Sequence, residues 1–228
     1  MGTLFVVGTP IGNLEDITFR AVRVLREVDL IAAEDTRTSR VLLKQYDINT
    51  PTTSFHAFTG RGKVARLAER LEIGDVAIIS DAGMPGISDP GYPLVRAAIE
   101  AGHPVVPVPG PSAVLAALVS SGIPMHAFTF LGFLPRKSGQ RRSLLAQHAG
   151  VDHALVAFES PHRLRAALAD IAAELGDRPM AVARELTKKF EELIRGTVSS
   201  AQAHFQEHEP RGEITLVIAG AGQGPVVE

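Results

Sequence analysis

The chain has 228 residues, 45% of them hydrophobic, enough to bury a core in one large domain or two small ones. It has no cysteine, which excludes disulfides, thiolate zinc sites and cysteine nucleophiles, and no metal centre is expected. With 23 Lys and Arg against 25 Asp and Glu the net charge is −2, so a uniformly basic coat is excluded and any nucleic-acid contact must use a local patch.

Aromatic residues make up only 5% and Trp is missing, which argues against an extended base-stacking platform. No apolar run approaches the roughly 18 residues needed to cross a bilayer. The start, MGTLFVVGTPIGN, reads directly as a strand without a charged leader, so a soluble, unprocessed chain at home in the cytoplasm is expected.

The first half alternates short β-branched runs with amphipathic ones. TLFVVGT (3–9), LIAAED (30–35), TTSFH (52–56), VAIISDA (76–82) and PVVPVPG (104–110) read as strands. Between them Thr18 to Val28, Thr36 to Tyr46, Gly62 to Glu72 and Tyr92 to Ala101 place apolar residues three or four apart, as helices do. This βαβ rhythm predicts a mostly parallel sheet covered on both faces.

The proline-stiffened PVPGPSA, with Ser112 available to cap a helix over Ala113 to Ser121, marks a domain boundary, giving domains 1–110 and 111–228. Beyond it come FTFLGFL, a helix near Gln140 to Ala149, HALVAFE, a helix over Arg163 to Leu175, PMAVAREL, EELIRGTV, a helix over Ser199 to Glu207, and EITLVIAG. The short gap around Lys188 to Phe190 permits a hairpin and hence a mixed sheet. There is no internal repeat, and only the GQGPVVE tail is of low complexity.

Several of these strands end in residues suited to chemistry. GTPIGN turns tightly at Gly8, Pro10 and Gly12, where open α/β sheets bind ligands, but it has neither the dinucleotide fingerprint nor the phosphate-loop spacing. SDAGMPGISDPG (80–91) packs three Gly, two Pro and two Asp behind a strand. Its glycines let backbone groups approach a small polar ligand, and its Asp residues accept hydroxyl or amine protons. It also reads as a helix cap, with Asp89 at the N-cap and Pro90 at the first helical position.

AEDTRTSR places Glu34, Asp35 and Arg37 after the second strand, either as an acid/base site or, as the spacing favours, a cap for the next helix. FESPHR offers Glu159, Ser160, His162 and Arg163 at a helix start. ARELTKKFEE clusters Arg184, Glu185 and Lys188, which as a bare pattern is equally a solvated turn. In PRKSGQRR, Arg136, Lys137, Arg141 and Arg142 look like a mobile basic loop, a phosphate-contact candidate or simply an exposed segment.

Taken in order, VVGTPIGNLEDIT, AEDTRTS, SDAGMPGISDPG, VPGPSA, FLGFLPRK, FESPHR, RELTKKFEE and RGEITLVI resemble the ribosomal RNA small subunit methyltransferase I family, within the tetrapyrrole methylase fold. The resemblance runs from about Leu4 to Ile218. It implies two α/β domains, the first with a mostly parallel and the second with a mixed sheet, and S-adenosylmethionine held in the cleft between them. It further implies a cytoplasmic homodimer that methylates the ribose 2′-hydroxyl of a cytidine in the decoding region of 16S rRNA, within the small ribosomal subunit.

Residue by residue, the implied cofactor contacts are Pro10, Asp81, Ala82, Gly83, Ile87, Ser88, Ser112, Ala113, Phe158, Glu213, Ile214 and Thr215. Glu34, Asp35, Arg37, His56, Glu159, His162 and Arg163 match the substrate-facing side, as do Arg184, Glu185 and Lys188 of the RELTK motif. Two departures stand out: SFHAFTGRGK around His56 is less polar than usual in the family, and the chain stops short of the family's helical C-terminal segment.

Methyl transfer to a hydroxyl needs alignment and removal of a proton. Within RELTK, Lys188 is the expected base if burial and Arg184 lower its pKa, and Glu185 otherwise. The alternatives are carbon methylation of a tetrapyrrole on the same fold and a non-catalytic RNA- or ribosome-binding module.

Overall fold

The computed structural model describes residues 1–224, so the last four residues of the GQGPVVE tail lie outside the described residues. The chain divides into two compact units, one spanning Met1–Ser112 and the other beginning at Ala113. The sequence reading divides it two residues earlier.

The first unit alternates β1 (Leu4–Val7), α1 (Phe19–Glu27), β2 (Leu30–Ala33), α2 (Thr36–Gln45), β3 (Thr52–Ser54), α3 (Arg61–Arg70), β4 (Val76–Ile79), α4 (Tyr92–Glu100) and β5 (Val105–Val108). All strand pairs are parallel, in the order β3-β2-β4-β1-β5. Apart from the polar edge strand β3, the strands carry apolar residues on both sides because both sides are covered. Val7, Ile31, Ala33, Ala77 and Ile79 pack with Ala21, Val24, Leu25 and Leu43 of α1 and α2. Leu4, Ala32, Val76 and Ile78 face the other way, onto Leu67 of α3 and Leu94 and Ala98 of α4. Each such large side chain contributes on the order of 1.5–3 kcal/mol. Parallel strands share one direction, so the segments after β1, β2, β3, β4 and β5 all leave from one edge of the sheet.

The second unit contains α5 (Ala113–Ser121), β6 (Phe128–Phe133), α6 (Ser138–Gln147), β7 (Ala154–Glu159), α7 (Pro161–Leu175), β8 (Pro179–Arg184), β9 (Glu192–Thr197), α8 (Val198–Glu207) and β10 (Ile214–Ile218). Its sheet, ordered β6-β7-β10-β8-β9, is mixed: β6 runs parallel to β7 and every other pair is antiparallel. The expected hairpin is β8–β9, closed at Arg184 opposite Glu192. One face packs on α6, α7 and α8 through Leu145, Leu164, Ile171 and Phe205, the other on α5 through Val114, Ala117 and Leu118.

Two expectations need correction. PRKSGQRR is not a mobile loop: from Ser138 it is the first turns of α6, and Arg141 is buried. Asp89 does not cap α4. Gly91 does, with Pro93 rather than Pro90 in the first turn, so the Asp89 carboxyl stays in the loop and is not spent on a helix end.

Candidate functional site

At the carboxyl edge of the first sheet, backbone hydrogen bonds tie the loops together. Thr9 N donates to Gly83 O (2.9 Å) and Gly83 N to Thr9 O (3.1 Å), while the Thr9 hydroxyl donates to Ser80 O (3.0 Å). The loop after β5 closes on the same point. A Cβ on Gly8 would sit 2.7 Å from Gly110 Cα, so only glycine allows the two chains to meet. The SDAGMPGISDPG loop then exposes Asp81, Ala82, Ile87 and Ser88, while Pro10 and Gly83 are buried beneath. Ser88 stands at φ 65°, a left-handed conformation uncommon for a residue with a side chain.

Carboxylates gather on this edge. Asp81 N donates to Glu34 Oε2 and Asp35 N to Asp81 Oδ1, both at 3.2 Å. Asp35 caps α2 through Arg37 N (2.8 Å) and pairs with the Arg37 guanidinium (2.7 Å), which holds its carboxyl down at about 2. Burial pushes Asp81 up, with the charge of Asp35 adding to the effect. Asp89 rises further, to about 6, through burial and then the charges of Glu34 and Asp81, against a hydrogen bond from Ser80. Sequence reasoning counts Asp89 among the loop's two Asp residues but singles it out by number only as a cap. His56 is exposed just past β3, its backbone N donating to Thr59 Oγ1 (2.9 Å).

In the second unit the register of β10 gathers the remaining motifs. Ile214 lies opposite both Glu159 and Arg184, and Thr215 opposite Phe158 and Ala183. Ile214 and Thr215 are buried in this central strand, paired on both sides. Phe158 packs its ring edge-on to Phe130, with centroids 5.0 Å apart.

RELTK folds back on this edge. Glu185 N donates to Glu213 O, and Glu185 Oε1 accepts from Glu213 N (2.9 Å each). Lys188 Nζ bridges Glu185 and Glu213, at 3.0 Å to each. Burial would lower the Lys188 pKa, but the bonds to Glu213 and Glu185 outweigh it and the ammonium is held above the usual lysine value. Lys188 is the expected base only if its pKa is lowered, and that condition is not met here. Glu185 is held below the usual range by the Glu213 N–H, with Lys188 adding to it against a smaller effect of burial. Arg184 holds the hairpin, bonding Phe190 O (3.1 Å) and pairing with Glu192 (3.2 Å).

In FESPHR, Glu159 is buried; one oxygen takes Ser160 N (2.7 Å) and Arg163 Nη2 (2.6 Å), and the other has no partner among the described residues. Burial keeps its pKa raised despite these bonds. Arg163 also bonds Ser160 Oγ (3.2 Å) and Leu134 O (3.1 Å), so it locks the turn, whereas His162 is exposed. The basic run splits. Arg141, 3% exposed, is committed to Asp170 (2.5 Å) and Arg142 to Glu174 (2.5 Å), so Arg141 is a packing cation rather than a phosphate ligand. Arg136 and Lys137 are exposed, with no side-chain partner among the described residues. Ser112 and Ala113, half-buried, stand at the junction of the two units.

Among the described residues no group of His, Asp and Glu is arranged to hold a metal ion, and no helix is long and apolar enough to cross a membrane. What the first unit does offer is a backbone-lined, carboxylate-rimmed loop cluster, chemistry suited to a small cationic ligand.

The model of the tetrapyrrole (corrin/porphyrin) methylases matches residues 3–202. Curated relatives carry the name ribosomal RNA small subunit methyltransferase I. The Thermotoga maritima protein is 51% identical over 96% of this chain and 99% of its own length. The Halalkalibacterium halodurans protein is 48% identical over 97% and 77%. Among solved structures, the methyltransferase CobJ superposes with a TM-score of 0.73 at 18% identity, covering 100% of this chain and 98% of its own. Uroporphyrin-III-C-methyltransferase from Thermus thermophilus gives 0.60 at 20% identity, covering 95% and 94%. These two likenesses show a shared fold alone, whereas the near-full-length identities go further: the chain belongs to the tetrapyrrole methylases and, within them, to the ribosomal RNA small subunit methyltransferase I family.

Proposed function

We propose that this protein transfers a methyl group from S-adenosylmethionine to the ribose 2′-hydroxyl of a cytidine in the decoding region of 16S rRNA, within the small ribosomal subunit. The observation that carries the reading is about one-half identity, over nearly the whole chain, to proteins named for methylating small-subunit rRNA. In keeping with that acceptor we assign it to the cytoplasm, as a homodimer.

S-adenosylmethionine supplies an electrophilic methyl on a sulfonium cation. The first unit's loops fit a ligand of that charge, because Glu34, Asp81 and Asp89 oppose its positive groups while backbone around Gly83 and Ser88 approaches closely. We assign cofactor contacts to Pro10, Asp81, Ala82, Gly83, Ile87, Ser88, Ser112 and Ala113 in the first half of the site. Phe158, Glu213, Ile214 and Thr215 supply the rest.

Positioning carries most of the acceleration. Bound there, the cofactor would supply the methyl that the ribose oxygen takes up as the sulfonium gives up its carbon–sulfur bond, and the hydroxyl proton would have to leave to a nearby base. A carboxylate held ionised, as Glu185 is, suffices to take the proton. Lys188, held as a cation between Glu185 and Glu213, fixes that carboxylate in place, and Arg184 holds the hairpin behind it.

Incubation of the protein and labelled cofactor with small subunits lacking the modification, with naked 16S rRNA and with a uroporphyrinogen-type acceptor tests this reading. We expect label in the RNA of the subunit, on a cytidine 2′-oxygen. Label in the tetrapyrrole alone, or in no acceptor, overturns it.

A further inference from the structure

A chain of net charge −2 that meets RNA must concentrate its cations. Between Thr36 and Leu71 there are seven Lys or Arg and only two acids, Asp47 and Glu69. In the structure this segment is a single feature: the sheet's edge strand β3, with α2 on one face of the sheet and α3 on the other.

The cations are ordered on it. In α2, Arg37, Arg40 and Lys44 recur at helical spacing on the side opposite the buried Ser39, Leu42 and Leu43. In α3, Lys63, Arg66 and Arg70 form a second row, anchored beside the edge strand by a hydrogen bond from Lys63 Nζ to Ser54 Oγ (3.0 Å). Arg37 pairs with Asp35, but Arg40, Lys44, Arg61, Arg66 and Arg70 have no side-chain partner among the described residues. The rows start at the carboxyl edge that carries Asp81 and Asp89. There the β3–α3 loop holds His56 and Phe58, the latter 92% exposed.

Unpaired cations in rows cost the fold electrostatic repulsion, and a fully exposed Phe adds no packing. Both features suit a phosphate chain with unstacked bases. We infer that the β3 edge, with the outer faces of α2 and α3, is the surface that grips the phosphate backbone of the RNA, with Phe58 stacking on an unstacked base. This rests on the RNA-methylating reading above. It moves the main phosphate-binding surface away from the run at 135–142, of which only Arg136 and Lys137 remain free.

The test measures binding of the full-length protein to a labelled RNA hairpin of decoding-region sequence across a salt series. The proteins compared are wild type, Arg40→Glu/Lys44→Glu, Arg66→Glu/Arg70→Glu, Phe58→Ala and Arg136→Glu/Lys137→Glu. Each of the first two double variants is expected to weaken binding about tenfold or more and to flatten the slope of log affinity on log salt by roughly 0.7–0.9 for each phosphate no longer neutralised. Phe58→Ala is expected to weaken binding about fivefold or more without changing the slope. Cofactor affinity, read by calorimetry, stays at the wild-type value and shows that the variants are folded.

Wild-type affinity and slope in both α2 and α3 variants overturn the inference, as does a loss confined to the Arg136/Lys137 variant. Methyl transfer to small subunits by wild type and by the α2 and α3 variants is measured in parallel. No transfer with intact, tract-dependent RNA binding sinks the functional reading and spares this one, whereas transfer unaffected by the tract does the reverse.

Discussion

Among the described residues, three of the four non-glycine positions with positive φ lie in two motifs: Ser88 in the first unit's loop, and Glu185 and Thr187 in RELTK. Conformations of this kind cost of order 1 kcal/mol or more each and persist where the surroundings over-determine them. Asp89, one residue from Ser88, adds an electrostatic cost. An Asp in the unfolded chain titrates near 3.9, but here at about 6. The folded state thus binds that proton more tightly, and its stability falls as pH rises from about 4 to 6. Asp89→Asn is therefore expected to stabilise the protein at pH 8 by on the order of 1 kcal/mol, read as a higher melting temperature, and to give no gain at pH 4. The same substitution should weaken cofactor binding above pH 6 and abolish its rise with pH, as calorimetry at pH 5 and pH 8 would show. Unchanged affinity at both would remove Asp89 from the site.

The RELTK residues make a complementary prediction. Glu185→Gln keeps the shape but loses the proton acceptor, and a fall in kcat of about 100-fold is expected with cofactor affinity intact. Lys188→Met should lower kcat less and also lower the melting temperature, because it leaves the Glu185 and Glu213 carboxylates facing each other. Wild-type turnover in Glu185→Gln would exclude it as the acceptor.

At the scale of elements, α6 shows how a motif is misread. Its Ser, Gly and crowded cations have poor helical credentials, and its N-cap, Lys137, makes no side-chain capping bond. What holds it is α7: Arg141 and Ser138 both bond Asp170, and Arg142 bonds Glu174, partners 29 to 32 residues away. Arg141→Met should destabilise the protein by about 3–5 kcal/mol, since it strands a nearly buried carboxylate. The double change Arg141→Met/Asp170→Leu should recover most of that loss in a denaturant titration. A single variant as stable as wild type would mean the pair holds nothing.

The parallel sheet, by contrast, was legible, because burial on both faces makes β1, β2 and β4 apolar and period-2 alternation is not needed to see them. The loops after β1 and β4 were legible too, as Gly- and Pro-rich clusters behind strands. Charge states were not: Asp89 is raised first by burial and then by Glu34, 55 positions away, and Lys188 is raised by its bonds to Glu213, 25 positions away, and Glu185.

At the scale of the whole molecule, each of the four core clusters is drawn from one unit. Leu25 of α1 in the first unit and Leu168 of α7 in the second are both fully buried. Truncating either to Ala removes about 2–5 kcal/mol from its own core. If each unit's amides open with its own core, Leu25→Ala should speed hydrogen exchange in β1, β2 and β4 while leaving β7, β8 and β10 protected. Leu168→Ala should do the opposite. Loss of protection spread evenly over both sheets in either variant would show that the chain opens as one cooperative body, and that the loops on the first sheet and the RELTK hairpin on the second are stabilised together.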